Sequence, residues 1–250
     1  MQLLIYGPGR LGGAIAATAL GAGWPSPVLV GRPDPDGRRL ASSRADVVVD
    51  ASASGAVASN VEEALQAGNR AFVLATTGWD ADLGRIRRGL IEHGAAAVAA
   101  PNLSLGAALF LRLVELAAGW YARAGTFEPS IVEWHRRGKA DRPSGTARAL
   151  ARRIAAADPR WAASDELDGR PVLEVAGIRA GAAPGTHLVT FDGTGESIEL
   201  RLAARDRSAY ADGALAAARW LVREPREPGL HPFDAVVDDL LADAAQPLHA

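Results

Sequence analysis

The chain has 250 residues, of which 48% are hydrophobic and 22% charged, and a net charge of −2 from 27 basic and 29 acidic side chains. This balance predicts a soluble globular protein, more readily two domains than one, and argues against a general nucleic-acid binder, which carries a broad basic excess. The absence of cysteine excludes disulfides, thiol catalysis and cysteine-ligated metals. Neither a membrane-spanning run nor a signal peptide is evident, so we expect a cytoplasmic protein without membrane or nucleic-acid partners.

The first 105 residues alternate between apolar runs and segments with helical spacing. The runs LLIY, PVLVGR, ADVVVDAS, RAFVLATTG and AAAVAAPN are short and bounded by glycine, proline or polar residues, which predicts strands. Helix-like sequences such as SNVEEALQAGN and DLGRIRRGLIEHG lie between them. Strands that alternate with helices at this spacing predict an α/β domain with a Rossmann-type, doubly wound parallel sheet.

A glycine pattern follows the first predicted strand. Gly7, Gly9 and Gly12 form G-x-G-x-x-G in the sequence GPGRLG, directly before a helix-like segment. In dinucleotide-binding proteins such glycines allow a tight turn and a close approach of the backbone to the pyrophosphate at the helix N-terminus. A glycine-rich turn without a ligand is the alternative, but the strand and helix on either side favour a dinucleotide site.

The end of the second predicted strand indicates which dinucleotide binds. About 20 residues beyond the glycine loop, NAD enzymes usually carry an acidic residue for the ribose 2′-hydroxyl, whereas this chain has Arg32. An arginine pairs with the 2′-phosphate of NADP, so we expect NADPH, with NADH as the alternative. The nearby Arg38 and Arg39 are nearly as well explained as solvated loop charges.

The pattern changes after residue 105. A strand-like IVEWH and a helix-like TARALARRIAAA precede two alternating segments, LVTFDG and SIELRLAA, whose intervening glycines predict a hairpin. We therefore predict a second, α+β domain with an antiparallel sheet. The helix-like sequences AYADGALAAARWLV and FDAVVDDLLAD follow it.

The segment EWHRRGKADRPSGTA, residues 133–147, concentrates positive charge before a predicted helix start. The N-terminus at Ser144, Gly145 and Thr146 offers free backbone amides and hydroxyls to a carboxylate or phosphate. His135 supplies a titratable proton donor, and Lys139 adds a cation. A serine that serves only as an N-cap, beside a solvated basic loop, is the alternative. The density of cations beside a positive helix end favours an anion site.

The other histidines give no indication of a metal site. They lie at positions without ligand spacing, so we expect no bound metal; these residues are His93, His187, His231 and His249.

The motifs, taken in order, resemble those of the 4-hydroxy-tetrahydrodipicolinate reductase family, also called dihydrodipicolinate reductases. The glycine loop GPGRLG, the strand end DAS at 50–52, the ATTG at 75–78 and the APNLSLG at 100–106 each have a counterpart in that family. The segment 133–147 resembles the family signature, and the later IRAG follows in the same order. The resemblance extends over nearly the whole chain.

The resemblance implies hydride transfer from a nicotinamide cofactor to a cyclic imine dicarboxylate. It also implies a dinucleotide-binding domain over residues 1–105 and 209–250, and a domain over residues 106–208 that binds substrate and forms the contacts of a homotetramer. It implies proton transfer by His135 and Lys139, and substrate carboxylate binding by Ser144, Gly145 and Thr146, with Arg136 as a further carboxylate ligand. An arginine is also found in the family at the position of Arg207. The implied cofactor-binding residues are Gly7, Gly9, Arg10, Leu11, Gly12, Arg32, Ala51, Ser52, Thr76, Thr77, Gly78, Pro101, Asn102 and Leu103.

The chain departs from the family pattern at three positions. Arg136 and Gly138 replace histidines, and Leu103 replaces a phenylalanine. The first function implied is reduction of 4-hydroxy-tetrahydrodipicolinate in lysine and diaminopimelate biosynthesis. Reduction of a different imine or enamine acid in secondary metabolism is the alternative that Arg136 and Gly138 favour. A non-catalytic NADP-binding protein is a third, which the retention of both His135 and Lys139 disfavours.

Overall fold

A computed structural model describes residues 1–32, 43–163, 169–206 and 208–244. These form two compact units, Met1–Leu105 with Arg207–Ala250 and Gly106–Asp206, called units 1 and 2 below. Arg38, Arg39 and Arg207 lie outside the described residues. The strands are β1 (Leu3–Tyr6), β2 (Val28–Val30), β3 (Val47–Asp50), β4 (Ala71–Leu74), β5 (Ala96–Ala99), β6 (Glu128–His135), β7 (Val175–Arg179), β8 (Thr186–Asp192), β9 (Ser197–Ala203) and β10 (Gly229–Pro232). The α-helices are α1 (Arg10–Gly21), α2 (Val57–Gln66), α3 (Leu83–Glu92), α4 (Leu105–Ala124), α5 (Gly145–Ala157), α6 (Ser208–Arg223) and α7 (Phe233–Ala244).

Unit 1 contains a six-stranded sheet in the order β10-β5-β4-β3-β1-β2, and every neighbouring pair is parallel. The predicted doubly wound parallel sheet is therefore confirmed. Strands β1 and β3 are buried along their whole length, which explains their continuous apolar sequences LLIY and VVVD. Strand β10 was not predicted, because its sequence GLHP has neither an apolar run nor alternation.

The β1–α1 turn requires two of its glycines for steric reasons. Gly7 has φ +91°, and a Cβ there would lie 2.4 Å from the carbonyl oxygen of Ala51. A Cβ on Gly12 would lie 2.0 Å from the carbonyl oxygen of Gly7. Gly9 is different, because it caps α1 with extended backbone and its Cβ position has no atom within 4 Å. The space above Gly9 is thus open to a ligand.

Unit 2 contains a four-stranded sheet in the order β7-β6-β8-β9. The predicted β8–β9 hairpin is confirmed and pairs antiparallel from Thr186↔Ala203 to Asp192↔Ser197. The sheet is mixed rather than antiparallel throughout, because β7 runs parallel to β6. The chain passes through α5 between these two strands, and a helical crossover of this kind returns a chain in the same direction.

Helix α4 corrects the expectation that no segment could span a membrane. The helix is long and apolar enough to cross a membrane by length and composition alone, with a mean hydropathy of 1.3 over an 18-residue window. Its buried face packs into the core of unit 2, where Phe110 and Val114 join Ile131 of β6 and Leu150 of α5. A helix whose buried face belongs to a protein core meets the same criterion.

Alanine substitutions of the three glycines of the turn should differ in their effect on the free energy of unfolding. We expect Gly7→Ala and Gly12→Ala to lower the free energy of unfolding by at least about 2 kcal/mol, because each Cβ would overlap backbone and Gly7 also has positive φ. Gly9→Ala meets no atom and should stay within about 1 kcal/mol of the wild type. Urea unfolding followed by circular dichroism measures these changes. Equal losses in all three variants would contradict the steric assignment.

Candidate active site

A cleft of about 410 Å³ in unit 1 lies at the carboxyl ends of β1, β3 and β4. In parallel α/β sheets this edge is where ligands bind. The cleft brings together half of the expected cofactor-binding residues with three neighbours. The residues that line it are Gly9, Arg10, Leu11, Ala51, Ser52, Ala53, Ser54, Ala75, Thr76 and Thr77.

The remaining expected cofactor-binding residues do not line this cleft. Gly7 and Gly12 shape the turn beneath it, and Arg32 is exposed just beyond β2. The side chain of Asn102 accepts a hydrogen bond from the backbone of Ser104 at 2.8 Å. Gly78, Pro101 and the buried Leu103 are the other expected cofactor-binding residues that do not line the cleft.

Asp50 at the end of β3 fixes the rim of the cleft. Its Oδ1 accepts hydrogen bonds from the backbone N–H and hydroxyl of Ser52, at 3.1 and 2.8 Å, and from the hydroxyl of Thr76 at 2.6 Å. Its Oδ2 accepts one from the amide of Asn60 at 2.6 Å. Asp50 is only 1% exposed. A buried carboxylate needs such donors, so this network joins the loops after β3 and β4.

The start of α5 in unit 2 was predicted correctly, and its first residue is already engaged. Ser144 is the N-cap, and its hydroxyl accepts a hydrogen bond from Ala147 N at 3.1 Å. The same hydroxyl lies 3.2 Å from His187 Nε2, and the residue is 2% exposed. The capping interpretation therefore describes this side chain. Exposed Gly145 and half-exposed Thr146 are the accessible residues of this helix start.

Glu133, a fully buried carboxylate in β6, is the centre of the site in unit 2. Its Oε1 accepts hydrogen bonds from Arg179 Nη2 at 2.6 Å and from the backbone N–H of Ser144 at 3.0 Å. Its Oε2 lies 3.2 Å from His135 Nε2 and 3.7 Å from His187 Nε2. The carboxylate thus joins two strands beside β6 to the first turn of α5.

The surroundings set the charge of these groups. Burial raises the pKa of Glu133, but hydrogen bonds from Ser144 and Arg179 lower it, and the net direction is downward. Burial lowers the pKa of His135, with Glu133 opposing that change. Burial and the neighbouring His135 lower the pKa of His187 to about 4. Near neutral pH the carboxylate is therefore ionised and His187 is neutral.

Several cations of the basic segment have internal partners. Lys139 Nζ lies 2.7 Å from Asp141 Oδ1. This hydrogen bond is the main reason why the pKa of Asp141 is lowered, and the backbone N–H of Gly145 lowers it further. Arg142 donates to the carbonyl of Gly177. Arg136 is exposed, so it is free to meet a ligand at the surface.

His187 and Arg179 were not predicted from the sequence to belong to the site. Both had a detectable signal, because each occupies a core-facing position of an alternating strand. His187 alternates with the buried Val189 and Phe191 in β8 and is the register partner of Glu133. Arg179 is the register partner of His135. A charged or polar residue in the apolar phase of a strand indicates a buried polar cluster.

The described residues contain one group whose donor atoms lie close enough for a metal ion, formed by Glu133, His135 and His187 within 4.8 Å. His187 is far from His135 along the chain, so the spacing of the histidines in the sequence did not indicate this group. Arg179 already compensates the charge of the carboxylate at 2.6 Å, which makes a second cation there unfavourable.

A doubly wound sheet with a glycine-turn cleft, together with a buried acid–histidine cluster, defines a dinucleotide-dependent oxidoreductase of the Rossmann type. A family profile described as "Dihydrodipicolinate reductase, C-terminus" matches residues 106–237. The chain belongs to the dihydrodipicolinate reductase family.

Relatives and a solved structure agree with this membership. The 4-hydroxy-tetrahydrodipicolinate reductase of Methanoculleus marisnigri is 33% identical over 196 residues, which cover 76% of each chain. That of Archaeoglobus fulgidus is 35% identical over 198 residues, covering 76% of this chain and 75% of the relative. The dipicolinate-bound dihydrodipicolinate reductase of Paenisporosarcina sp. TG-14 superposes with a TM-score of 0.66 at 20% identity, over 93% of this chain and 97% of that one. It has the same fold.

The buried His187 should make the protein sensitive to acid. The unfolded chain binds a proton at this histidine below about pH 6.5, whereas the folded chain does so only near its pKa of about 4. The free energy of unfolding should therefore fall as pH decreases from 6.5 to 4, with a contribution on the order of 2 to 3 kcal/mol from this residue. Urea unfolding at pH 7.5 and 4.5 measures the change. His187→Gln should reduce it, while His93→Gln, at an exposed histidine, should not; equal acid sensitivity in all three proteins would contradict the assignment.

Proposed function

We propose that the protein is an NAD(P)H-dependent reductase of a cyclic imine dicarboxylate, converting 4-hydroxy-tetrahydrodipicolinate to tetrahydrodipicolinate in lysine and diaminopimelate biosynthesis. Family membership supports the reaction class. The observation that carries the proposal is the buried His135 in unit 2. It is the last residue of β6, and Lys139 and the start of α5 follow it in the chain. A proton donor beside cationic carboxylate ligands is what reduction of a conjugated imine dicarboxylate requires.

In this proposal residues 1–105 and 209–250 bind the dinucleotide. The cleft fits a pyrophosphate, because the open space at Gly9 and the N-terminus of α1 allow close approach to backbone amides. Thr76, Thr77 and Gly78, with Pro101, Asn102 and Leu103, would border the nicotinamide. When bound, the reduced cofactor supplies a hydride. Exposed Arg32 would pair with a 2′-phosphate, which makes NADPH the expected cofactor.

Residues 106–208 would hold the substrate. The exposed guanidinium of Arg136 and the backbone amides of Gly145 and Thr146 are donors for its two carboxylates. Asp141 now lies at Lys139 and interacts with the Gly145 amide. A substrate carboxylate would share these donors, so we expect it to compete with Asp141. Ser144 contributes indirectly, by capping the helix.

Protonation completes the reaction. Loss of the 4-hydroxyl group as water gives the conjugated imine, and hydride addition to that imine leaves an electron-rich enamine, which a nearby acid must protonate. His135 is the donor in this proposal, with Lys139 as the second participant. Because burial lowers the pKa of His135 in the free protein, the proton would be taken up as the dianionic substrate binds and favours the imidazolium.

A homotetramer in the cytoplasm belongs to the same proposal, and the exposed face of the unit 2 sheet supports the formation of an oligomer. Trp134 and Ile178 are register partners on neighbouring strands, and they are 47% and 43% exposed. Val132 and Leu188 pair on the same face and are partly exposed. Such a contiguous apolar surface is typical of subunit interfaces.

A second candidate is reduction of a different imine or enamine acid. It is favoured by the proximity of two departures from the family pattern, since a Cβ on Gly138 would lie 2.8 Å from Arg136 Nη1. The exposed guanidinium therefore lies over position 138, where the chain has no side chain. The two substitutions would then form one altered carboxylate site.

A coupled assay tests the activity. Synthase-generated 4-hydroxy-tetrahydrodipicolinate should cause oxidation of NADPH, measured by its absorbance, and Lys139→Ala should abolish at least about 99% of the rate without changing NADPH affinity. Arg137→Ala, at a neighbouring exposed arginine, is the matched control. NADPH binding without oxidation would reject this substrate and favour the second candidate.

The cofactor preference has its own test. Arg32→Ala should raise the dissociation constant for NADPH by about 10-fold or more, the effect of losing a charge-assisted hydrogen bond, and leave that for NADH nearly unchanged. Arg87→Ala, at an exposed arginine of α3, controls for the loss of surface charge. Equal losses for both cofactors would exclude a phosphate contact at Arg32.

A further inference from the structure

Two buried groups remain unexplained by the proposed reaction. Glu133 and His187 are buried and lie next to His135, yet neither is accessible enough to bind substrate directly. His135 Nε2 is itself buried, 3.2 Å from Glu133 Oε2, but the two are not aligned as a hydrogen bond. This nitrogen has no hydrogen-bond partner among the described residues. The carboxylate is close enough to form an ion pair with this nitrogen whenever the ring is protonated.

We propose that Glu133 is a positioning residue that holds the Nε2–H of His135, so that the proton given to the substrate leaves from Nδ1. This inference rests on the proposed function and assigns the proton to one atom. In the charged state both ring nitrogens carry protons. The Nδ1–H bond breaks as the new C–H bond forms on the enamine, and the neutral ring keeps its Nε2–H toward Glu133 Oε2.

The packing around the ring agrees with this direction. Gly185 has φ +146°, and a Cβ there would lie 3.1 Å from Cε1 and 3.2 Å from Nδ1 of His135. Glycine at this position therefore keeps a side chain away from the Nδ1 edge of the ring. On the opposite edge, Glu133 cannot move away from Nε2, because Arg179 and the Ser144 backbone hold its other oxygen.

The titratable and charged groups around His135 come from β6 and the loop after it, from β7 and from β8. Lys139 follows β6, Arg179 ends β7, and both lower the pKa of His135, as burial does first. Glu133 acts in the opposite direction. His187 on β8 makes an edge-on contact with the ring, with centroids 5.1 Å apart. Burial and the neighbouring His135 lower the pKa of His187 to about 4, so the His187 ring is neutral near pH 7.

Glutamine in place of Glu133 separates charge from shape. Glu133→Gln keeps a carbonyl oxygen for the Ser144 N–H but removes the negative charge. We expect kcat at pH 7 to fall by about 10-fold or more, with the KM for NADPH unchanged. Because the protonated ring is the active form, the rate falls as pH rises through the pKa of His135. The variant should show this fall at lower pH than the wild type.

Asp158→Asn is the matched control. Asp158 is also a buried carboxylate of unit 2, and its partner is Arg160 at 2.7 Å, away from the histidines. The control loses one buried negative charge and some stability, but its pH profile should stay that of the wild type. A general structural effect would change both variants alike. Glu133→Asp, which retains the charge on a shorter side chain, should recover part of the rate.

Nuclear magnetic resonance of the ring nitrogens tests the proposal without catalysis. In the wild-type protein at pH 8, the neutral His135 ring should be the Nε2–H tautomer, identified by the signals missing from His135→Gln. An Nδ1–H tautomer would overturn the proposal, as would unchanged pH profiles in a folded Glu133→Gln. The tautomer remains measurable if the protein does not reduce 4-hydroxy-tetrahydrodipicolinate, so failure of the proposed function and failure of this inference give different results.

Discussion

The structure of unit 2 depends on the satisfaction of one buried carboxylate. An ionised Glu133 without partners would cost several kcal/mol, so the fold must bring donors to it. Those donors come from β7 and from the first residue of α5, which fixes where the helix starts relative to the strand. Gly177 packs close to this carboxylate, because a Cβ there would lie 3.2 Å from Glu133 Oε1. The carboxylate therefore ties the end of β7 and the helix N-terminus to β6.

Unit 1 uses the same device at the carboxyl end of its sheet. Asp50 collects four hydrogen bonds from Ser52, Asn60 and Thr76, so the loops that follow β3 and β4 are tied to each other. The Ala51 carbonyl beside this network contacts Gly7, whose positive φ leaves no room for a Cβ. The glycine turn is thus shaped by the loop after β3 as much as by its own sequence. Each unit places one buried carboxylate under the loops that would contact a ligand.

Local sequence predicted most of the fold, because apolar periodicity reflects which face of a segment is buried. Strands β1 and β3, the β8–β9 hairpin and the start of α5 all carry such signals. The parallel pairing of β7 and the existence of β10 do not, since both depend on where a distant segment returns. The site residues divide in the same way, into those that a local motif indicates and those that a distant segment contributes. His135 and Lys139 lie in one contiguous motif, whereas His187 joins them only through cross-strand register with Glu133.

The site therefore has a rigid part and an adjustable part. Glu133, His135 and His187 are buried and in mutual contact, so a change in any of them would disturb the proposed proton donor, His135. Arg136 and Gly138 are exposed on the loop and lie close to each other. In the proposed function, carboxylate recognition could therefore change without a change in proton chemistry. Both candidate substrates would require the same acid beneath a different surface.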